Sequence, residues 1–141
     1  AFICLALNTY HEAKNQSTVG QIATAQVVMN RVEDKRFPNT VCEVVKQGPT
    51  RPSWEDPNKE YPIRHRCQFS WYCDGKSDVP KNEKAWRKAQ DVAFLVLYDK
   101  IKVDVTEGAT HYHATYVKPA WAKTKKRTTR IEKHIFYRWE K

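Results

Sequence analysis

Residues 17–36 read STVGQIATAQVVMNRVEDKR, and their pattern predicts a long helix. Thr18 and Gln21 have the spacing of a capping box, which stabilises the first turn of a helix. The apolar residues that follow recur at helical spacing but cover more than one narrow stripe: Val19, Ile22, Ala23, Ala25, Val28, Met29 and Val32. Because a helix with so broad an apolar surface packs against neighbours on several sides, we expect this segment to be the central helix of the domain.

Length and composition limit the class of protein. A chain of 141 residues with 40% apolar content suits a single domain, which we expect to span residues 1–141. No run of about 18 apolar residues occurs, so no transmembrane helix is expected. The net charge is +9, and residues 118–141 carry nine Lys or Arg against two Glu. This basic end suits an anionic partner such as nucleic acid, acidic lipid or a wall polymer, and equally suits a plain solvated surface.

Four cysteines leave their pairing open. Cys67 and Cys73 flank QFSWY and are close enough in sequence to close a small disulfide loop, whereas Cys42 needs a partner brought to it by the fold. Cys4 lies among apolar residues of a predicted helix, where a buried thiol is expected. We therefore favour one disulfide and an oxidising compartment, with reduced thiols as the alternative.

Three further helices are predicted along the chain. Residues 2–14 carry an apolar stripe at helical spacing, and Asn82 caps a helix with one buried and one wet side. Thr40 and Glu43 form a second capping box, which opens a short helix. Residues 48–82 hold five of the seven prolines and show few periodic signals, so we expect a long irregular segment there.

The last third of the chain changes to the period of two that is typical of strands. Residues 110–115 and 128–139 each alternate, which puts His111 and His113 on one face. Residues 118–127 form a basic loop between them. We expect an antiparallel β-hairpin or small sheet packed on a helical body, and therefore an α+β domain.

Glu12 is the clearest candidate for a catalytic residue in this pattern. It falls in the last turn of the first helix, on the same flank as Asn8 and Leu5 and close to the start of the central helix. The helix dipole and the packing beside Leu5 both disfavour the carboxylate, so we expect the pKa of Glu12 to be raised towards the range of a general acid. The alternative is a solvent-exposed glutamate, which is the commoner fate of this residue type.

Metal binding is the first chemistry that the His and Cys residues suggest. His11 and Glu12 begin like the HExxH motif, but Asn15 stands where the second histidine is needed. His111 and His113 could hold zinc with a third ligand, but nothing in the spacing establishes that geometry. The third ligand would come from His65, Cys67 or Cys73. We therefore expect no metal and no other cofactor.

Three other classes of function have less support. The chain has no GxSxG motif and, with four glycines, no Gly-rich phosphate loop. Aromatic residues are interleaved with the basic end and could stack on bases, but no known nucleic-acid motif accompanies them. They are Tyr116, Trp121, Phe136, Tyr137 and Trp139. Nucleic acid is therefore not the expected partner.

Eight blocks of sequence, spread over nearly the whole chain, carry a family resemblance. They read YHEA at 10–13, VGQIA at 19–23, VVMNRV at 27–32, RFPNTVCEVV at 36–45, CQFSW at 67–71, THYH at 110–113, WA at 121–122 and IEKHIFY at 131–137. Together they resemble the SleB/CwlJ-type cell-wall hydrolase family. The order and spacing of the blocks make the resemblance specific, although no single block would suffice.

The resemblance implies a small, distantly lysozyme-like domain that cuts the glycan strand of peptidoglycan between N-acetylmuramic acid and N-acetylglucosamine. It places the family's essential acid on Glu12, although His11 stands where the family usually has a small residue. It also suggests a lytic transglycosylase, in which the muramic C6 hydroxyl attacks and leaves a 1,6-anhydro end. Muramidase hydrolysis is the alternative, but the sequence marks no second carboxylate for it. The segment between Gln47 and Cys67 departs from shorter family members, so substrate preference does not carry over.

The remaining expectations concern the groove and its occupant. Candidates for groove walls and for hydrogen bonds to acetamido groups are Gln68, Ser70, Trp71, Tyr112, His113 and His134. The expected partner is the peptidoglycan glycan strand, bound by a monomer that acts at the cell wall, either from the periplasm or cell exterior or as a phage product. Two other classes of function are kept as alternatives: a non-catalytic wall-binding module and a basic nucleic-acid-binding domain.

Overall fold

The computed structural model describes residues 1–140 and is arranged around one helix. This helix, α2, spans Thr18–Glu33 and packs against α1 (Phe2–Ala13), α3 (Val41–Val45), α4 (Glu83–Leu97) and a C-terminal sheet. Its start differs by one residue from the predicted capping box. Ser17 has an extended backbone, and its side-chain oxygen accepts a hydrogen bond from the Gly20 N–H at 3.2 Å, so Ser17 is the cap and Thr18 is already helical.

Two disulfides tie the helices and loops together. Cys4 of α1 bonds Cys42 of α3, so the prediction of a buried Cys4 thiol is wrong. Cys67 bonds Cys73 in the short loop that the spacing suggests. Sequence spacing could not find the first pair because its partners are 38 residues apart and meet only when α1 and α3 pack.

The segment between α3 and α4 has more regular structure than predicted. Strands β1 (Thr50–Pro52) and β2 (Glu60–Pro62) form an antiparallel hairpin, with Arg51 opposite Tyr61. A 3₁₀ turn at Ser70–Cys73 follows and buries Trp71. The hairpin escaped prediction because its three-residue strands contain prolines and are too short to show a period.

Helix α4 is capped as predicted by Asn82, whose side-chain oxygen accepts a hydrogen bond from the Ala85 N–H at 3.0 Å. It packs Ala89, Val92 and Ala93 against α1 and α2. The main core lies between the helices, and a second cluster joins Ala23 and Val27 of α2 to Ala109 and Phe136 of the sheet side. Within residues 1–140, no helix is long and apolar enough to cross a membrane.

The C-terminal sheet has three strands in the order β3 (His111–Ala114), β5 (His134–Arg138) and β4 (Lys126–Ile131), all antiparallel. The prediction of one strand over residues 128–139 is therefore wrong, because a turn at Glu132, with φ of 52°, divides it. The alternating pattern runs through this turn and hides it.

The Glu132 turn is attached to the start of α2. Glu132 Oε1 accepts hydrogen bonds from the Ser17 hydroxyl and, at 3.0 Å, from the Ser17 N–H. A Cβ atom at Gly20 would lie 2.8 Å from this same oxygen, so the glycine permits the close approach. The sheet is thereby held beside α1 and α2, where the site described next is formed.

Candidate active site

Glu12 lies half-buried in the last turn of α1, under the sheet. Its Oε1 accepts a hydrogen bond from the hydroxyl of Tyr112 on β3, a residue 100 positions further along the chain. Its Oε2 makes no hydrogen bond within residues 1–140 and is not completely buried. One oxygen of the carboxyl group is therefore held in place, and the other is free to face a ligand.

Burial controls the acidity of this carboxyl group. Burial raises the pKa of Glu12, and this effect exceeds the opposing effects of the Tyr112 hydrogen bond and the positive charge of Arg31, which lower the pKa. The direction agrees with the expectation from sequence. Burial and the negative charge of Glu12 also raise the pKa of Tyr112 well above its ordinary value, so Tyr112 stays neutral and can donate its proton to the hydrogen bond.

Arg31 is a further member of the site that sequence reasoning did not single out. It projects from the buried face of α2 with 2% of its surface exposed, and its Nε donates a hydrogen bond to the Thr110 carbonyl at 2.7 Å. The guanidinium lies over the rings of Phe37 and Phe69, at 4.9 and 5.3 Å from their centroids. Burial lowers the pKa of Arg31 to about 10, so it remains charged at neutral pH. The available signal was an arginine within the apolar pattern of the central helix.

Trp71 supports the site from the interior. It is buried, its Nε1 donates to Asn8 Oδ1 at 2.8 Å, and its ring stacks on His11 with centroids 4.6 Å apart. The Nε2 of His11 in turn lies 2.9 Å from the carbonyl oxygen of Asp78. Trp71 therefore fastens the loop that follows β2 to the face of α1 that precedes Glu12, and it is not an exposed wall for a sugar ring.

The two predicted histidines have different positions. His134 packs against Tyr112 with ring centroids 5.1 Å apart, and burial lowers its pKa below the ordinary value. His113 lies on the opposite face of β3 from Tyr112, with its Nε2 at 2.9 Å from the Tyr137 hydroxyl and its ring beside Trp121. The structure brings His134 to the Glu12 side of the sheet and directs His113 away from it.

Gln68 and Ser70 are exposed and flank the buried Phe69. Neither side chain makes a hydrogen bond within residues 1–140, so both are free to bind a ligand. Phe69 contacts Arg31, so the two polar residues flank a side chain that touches the site.

The zinc alternative loses two of its candidate third ligands. Cys67 and Cys73 bond each other and so cannot coordinate a metal. His111 and His113 share a face as predicted, but His113 is paired with Tyr137 and His111 Nδ1 lies 2.9 Å from the Thr110 hydroxyl. Over the described part of the chain, no three His, Cys, Asp or Glu residues are grouped as metal ligands.

Solved structures with a similar fold come from two Bacillus proteins. The catalytic domain of the germination-specific lytic transglycosylase SleB from Bacillus anthracis is 25% identical, with a TM-score of 0.67 over 97% of this chain and 93% of that one. The catalytic domain of the Bacillus cereus SleB protein is 26% identical, with a TM-score of 0.65 over 97% and 88% of the two chains. These similarities confirm the expected α+β fold.

Sequence comparison agrees with the structural comparison. The spore cortex-lytic enzyme of Halalkalibacterium halodurans is 27% identical over 133 residues, which are 94% of this chain and 33% of that protein. The chain thus spans about a third of the length of this curated relative. The model of the Cell Wall Hydrolase family, Hydrolase_2, matches residues 15–137 and so begins just after Glu12. This match covers most of the chain, and the chain belongs to the Cell Wall Hydrolase family.

Proposed function

We propose that residues 1–141 act as one catalytic domain that cleaves the glycan strand of peptidoglycan between N-acetylmuramic acid and N-acetylglucosamine. The observation that carries this proposal is the Glu12 carboxyl group, with a raised pKa, one oxygen held by Tyr112 and the other without a hydrogen-bond partner within residues 1–140. Membership of the Cell Wall Hydrolase family supports the substrate class. Similarity to a protein described as a lytic transglycosylase supports the reaction type.

The proposed reaction uses Glu12 twice. The protonated carboxyl group donates its proton from Oε2 to the glycosidic oxygen as the bond from the muramic C1 breaks. The resulting carboxylate then accepts the proton of the muramic C6 hydroxyl as that oxygen bonds C1. The products are a 1,6-anhydromuramic end and a free N-acetylglucosamine end, and Glu12 is regenerated without consuming water.

The pKa of Glu12 shows no contribution from a second carboxylate, and this supports transglycosylation over hydrolysis. The groups of residues 1–140 that shift the pKa of Glu12 through charge or hydrogen bonding are Tyr112 and Arg31, and neither is acidic. A hydrolase of the two-carboxylate kind would need an Asp or Glu within roughly 5–10 Å to act as nucleophile or to activate water. Glu12 would therefore act alone as acid and then as base.

The other predicted residues take revised roles in this proposal. Tyr112 orients Glu12, and His134 lies near enough to Tyr112 to contact a sugar substituent. Gln68 and Ser70 would bind acetamido or hydroxyl groups from the surface. Trp71 would support the groove from beneath, and His113 would act on the other face of β3, beside Tyr137.

The test is mass spectrometry of the fragments released from purified peptidoglycan by the wild type, Glu12→Gln and Glu33→Gln. Glu33 is the matched control because it also ends a helix, α2, but is exposed. We expect 1,6-anhydromuramic ends from the wild type and from Glu33→Gln, and a rate lower by about 10²–10⁴-fold for Glu12→Gln. Full activity of Glu12→Gln would overturn the assignment of the acid.

The nature of the released ends separates the remaining alternatives. Reducing muramic ends would mean hydrolysis by water. A wall-binding module would bind sacculi but release nothing, even as the wild type.

Three other measurements test the remaining expectations. We expect activity to survive a chelator, because no step in the mechanism needs a metal. The basic end should favour the anionic wall, so activity on intact walls should fall with added salt. We expect action at the cell wall as a monomer, which size-exclusion chromatography checks.

A further inference from the structure

Arg31 is buried with only part of its hydrogen-bonding capacity used. Its Nε bonds the Thr110 carbonyl, but its Nη1 is buried and has no hydrogen-bond partner within residues 1–140. No ion pair joins it to Glu12 within 4.0 Å in the described part of the chain. A buried guanidinium without a paired carboxylate lowers the stability of the fold. Its presence therefore suggests a role in function.

The contacts of Arg31 lead to the reacting carboxyl group. The guanidinium is held between the rings of Phe37 and Phe69, so its position is defined by packing. Its one strong hydrogen bond goes to Thr110, the residue that precedes β3, and Thr110 also donates its N–H to the Tyr137 carbonyl. This double attachment fixes where β3 begins.

The register of β3 decides where Tyr112 points. Because side chains alternate along a strand, a shift of one residue would turn Tyr112 to the face that now carries His111 and His113. With the register as it is, Tyr112 reaches Glu12 Oε1. A continuous path of contacts therefore runs from α2, through the start of β3, to the end of α1.

We propose that Arg31 is a positioning residue for this reaction: it anchors β3 so that Tyr112 stays on Glu12, and its charge stabilises the carboxylate that exists between the two proton transfers. This inference rests on the proposed function. The first transfer breaks the O–H bond of Glu12 and leaves a carboxylate whose charge is disfavoured by burial. A fixed cation nearby stabilises that anion more strongly there than it would in water. The second transfer returns the proton from the C6 hydroxyl, and Arg31 itself exchanges none.

The electrostatics of the site agree with this role. Tyr112 from β3 and Arg31 from α2 both lower the pKa of Glu12 against the larger effect of burial. His134 from β5 packs on Tyr112 on the same side of the sheet, and burial lowers its pKa, which favours its neutral form. His111 also lies near Arg31, but burial and then the charge of Arg31 lower the pKa of His111 to about 4, so it is neutral at neutral pH. Arg31 is thus the fixed positive charge beside the acid.

The first experiment compares the pH dependence of kcat for the wild type, Arg31→Met and Arg31→Lys on purified peptidoglycan, with folding checked by circular dichroism. Glu12 must start protonated, so activity falls on the basic side as it ionises. Removing the charge should raise the pKa of Glu12, move this basic limb to higher pH and lower kcat about 10–100-fold. Arg31→Lys keeps the charge but not the bond to Thr110, so it should move the limb less than Arg31→Met does. A folded Arg31→Met with an unmoved limb would overturn the proposal, whatever its rate.

A second measurement covers the case in which Arg31→Met does not fold. Arg31→Lys retains the charge but loses the guanidinium contact with Thr110, and it is combined with Tyr112→Phe in a double-mutant cycle. If Arg31 acts through Tyr112, the combined loss of kcat is smaller than the product of the two single losses. A strictly multiplicative loss would contradict the anchoring role. The inactive Glu12→Gln variant distinguishes this outcome from failure of the proposed function itself.

Discussion

The end of α1 and the β1–β2 hairpin are both polar, but the first is buried by distant segments and the second stays exposed. At the end of α1, Glu12 is covered by β3 and Arg31 of α2 lies nearby, so its environment is supplied by distant segments. In the hairpin, Thr50–Pro52 pairs with Glu60–Pro62 a few residues away, and Trp54 and Tyr61 are 87% and 52% exposed. Residue type alone thus does not decide chemistry here. Burial by remote segments changes the acidity of a carboxyl group, whereas a locally paired hairpin leaves its side chains in water.

This difference predicts that changes around α1 are costly and that changes around the hairpin are tolerated. The largest expected contrast is between the two disulfides, one of which ties α1 to α3 while the other closes a loop just after the hairpin. The double variant Cys4→Ala/Cys42→Ala removes a crosslink between cysteines 38 residues apart, and Cys67→Ala/Cys73→Ala removes a crosslink between cysteines 6 residues apart. From loop entropy we expect losses of about 4 and about 2 kcal/mol in the free energy of unfolding.

Urea denaturation of both double variants and the wild type measures these losses. The oxidised and reduced wild type provide the control for the sum of the two bonds. A larger loss for the Cys67–Cys73 pair would break the comparison, because it would mean that the loop after the hairpin, and not α1, depends more on its crosslink.

The next effect concerns the hydroxyl that holds Glu12. Tyr112→Phe removes a hydrogen bond that lowers the pKa of Glu12, so this pKa rises further and the basic limb of the activity profile moves to higher pH. We expect kcat to fall about tenfold, the equivalent of about 1.4 kcal/mol in the activation barrier. Tyr61→Phe is the matched control, because Tyr61 lies exposed in the hairpin. The pH profile of kcat decides, and an unmoved limb for Tyr112→Phe would show that its hydroxyl does not act on the acid.

The smallest effect is expected in the hairpin. Trp54→Ser should change the free energy of unfolding by no more than about 0.5 kcal/mol, because the side chain is 87% exposed. Its activity on soluble glycan fragments should equal that of the wild type. Thermal melts and fragment assays check both statements. A clear loss of activity on intact walls alone would sharpen the comparison, since it would assign the hairpin to contacts with the polymer and not to chemistry.

Sequence patterns predicted the helices well because helix formation depends on neighbours. The spacing of apolar residues located α1, α2 and α4, and the caps at Thr40 and Asn82 are as expected. The turn at Glu132 was missed because an alternating pattern does not reveal where a chain reverses. A motif also does not say which face of a strand each residue occupies, and the structure puts His113 on the face of β3 opposite Tyr112.

Trp71 illustrates the same limit for side chains. An aromatic residue in a polar loop suggested a sugar-binding wall, but the ring is buried against His11 and bonded to Asn8. The preference for one disulfide failed for a similar reason, since Cys4 and Cys42 are adjacent only when α1 and α3 pack. Such contacts depend on how helices and loops meet, and residue spacing carries little information about that.

The sequence by itself determined the helices, the family of the chain and the choice of Glu12 as the candidate acid. These follow from spacing within a few residues and from the order of motifs along the chain. Only the tertiary structure decided that Tyr112 holds Glu12, that Arg31 is the nearby buried charge, and that Cys4 pairs with Cys42. The physical reason is range: helix periodicity and capping act over about four residues, whereas burial, register and electrostatics arise between segments that are far apart in sequence and meet only in the folded domain.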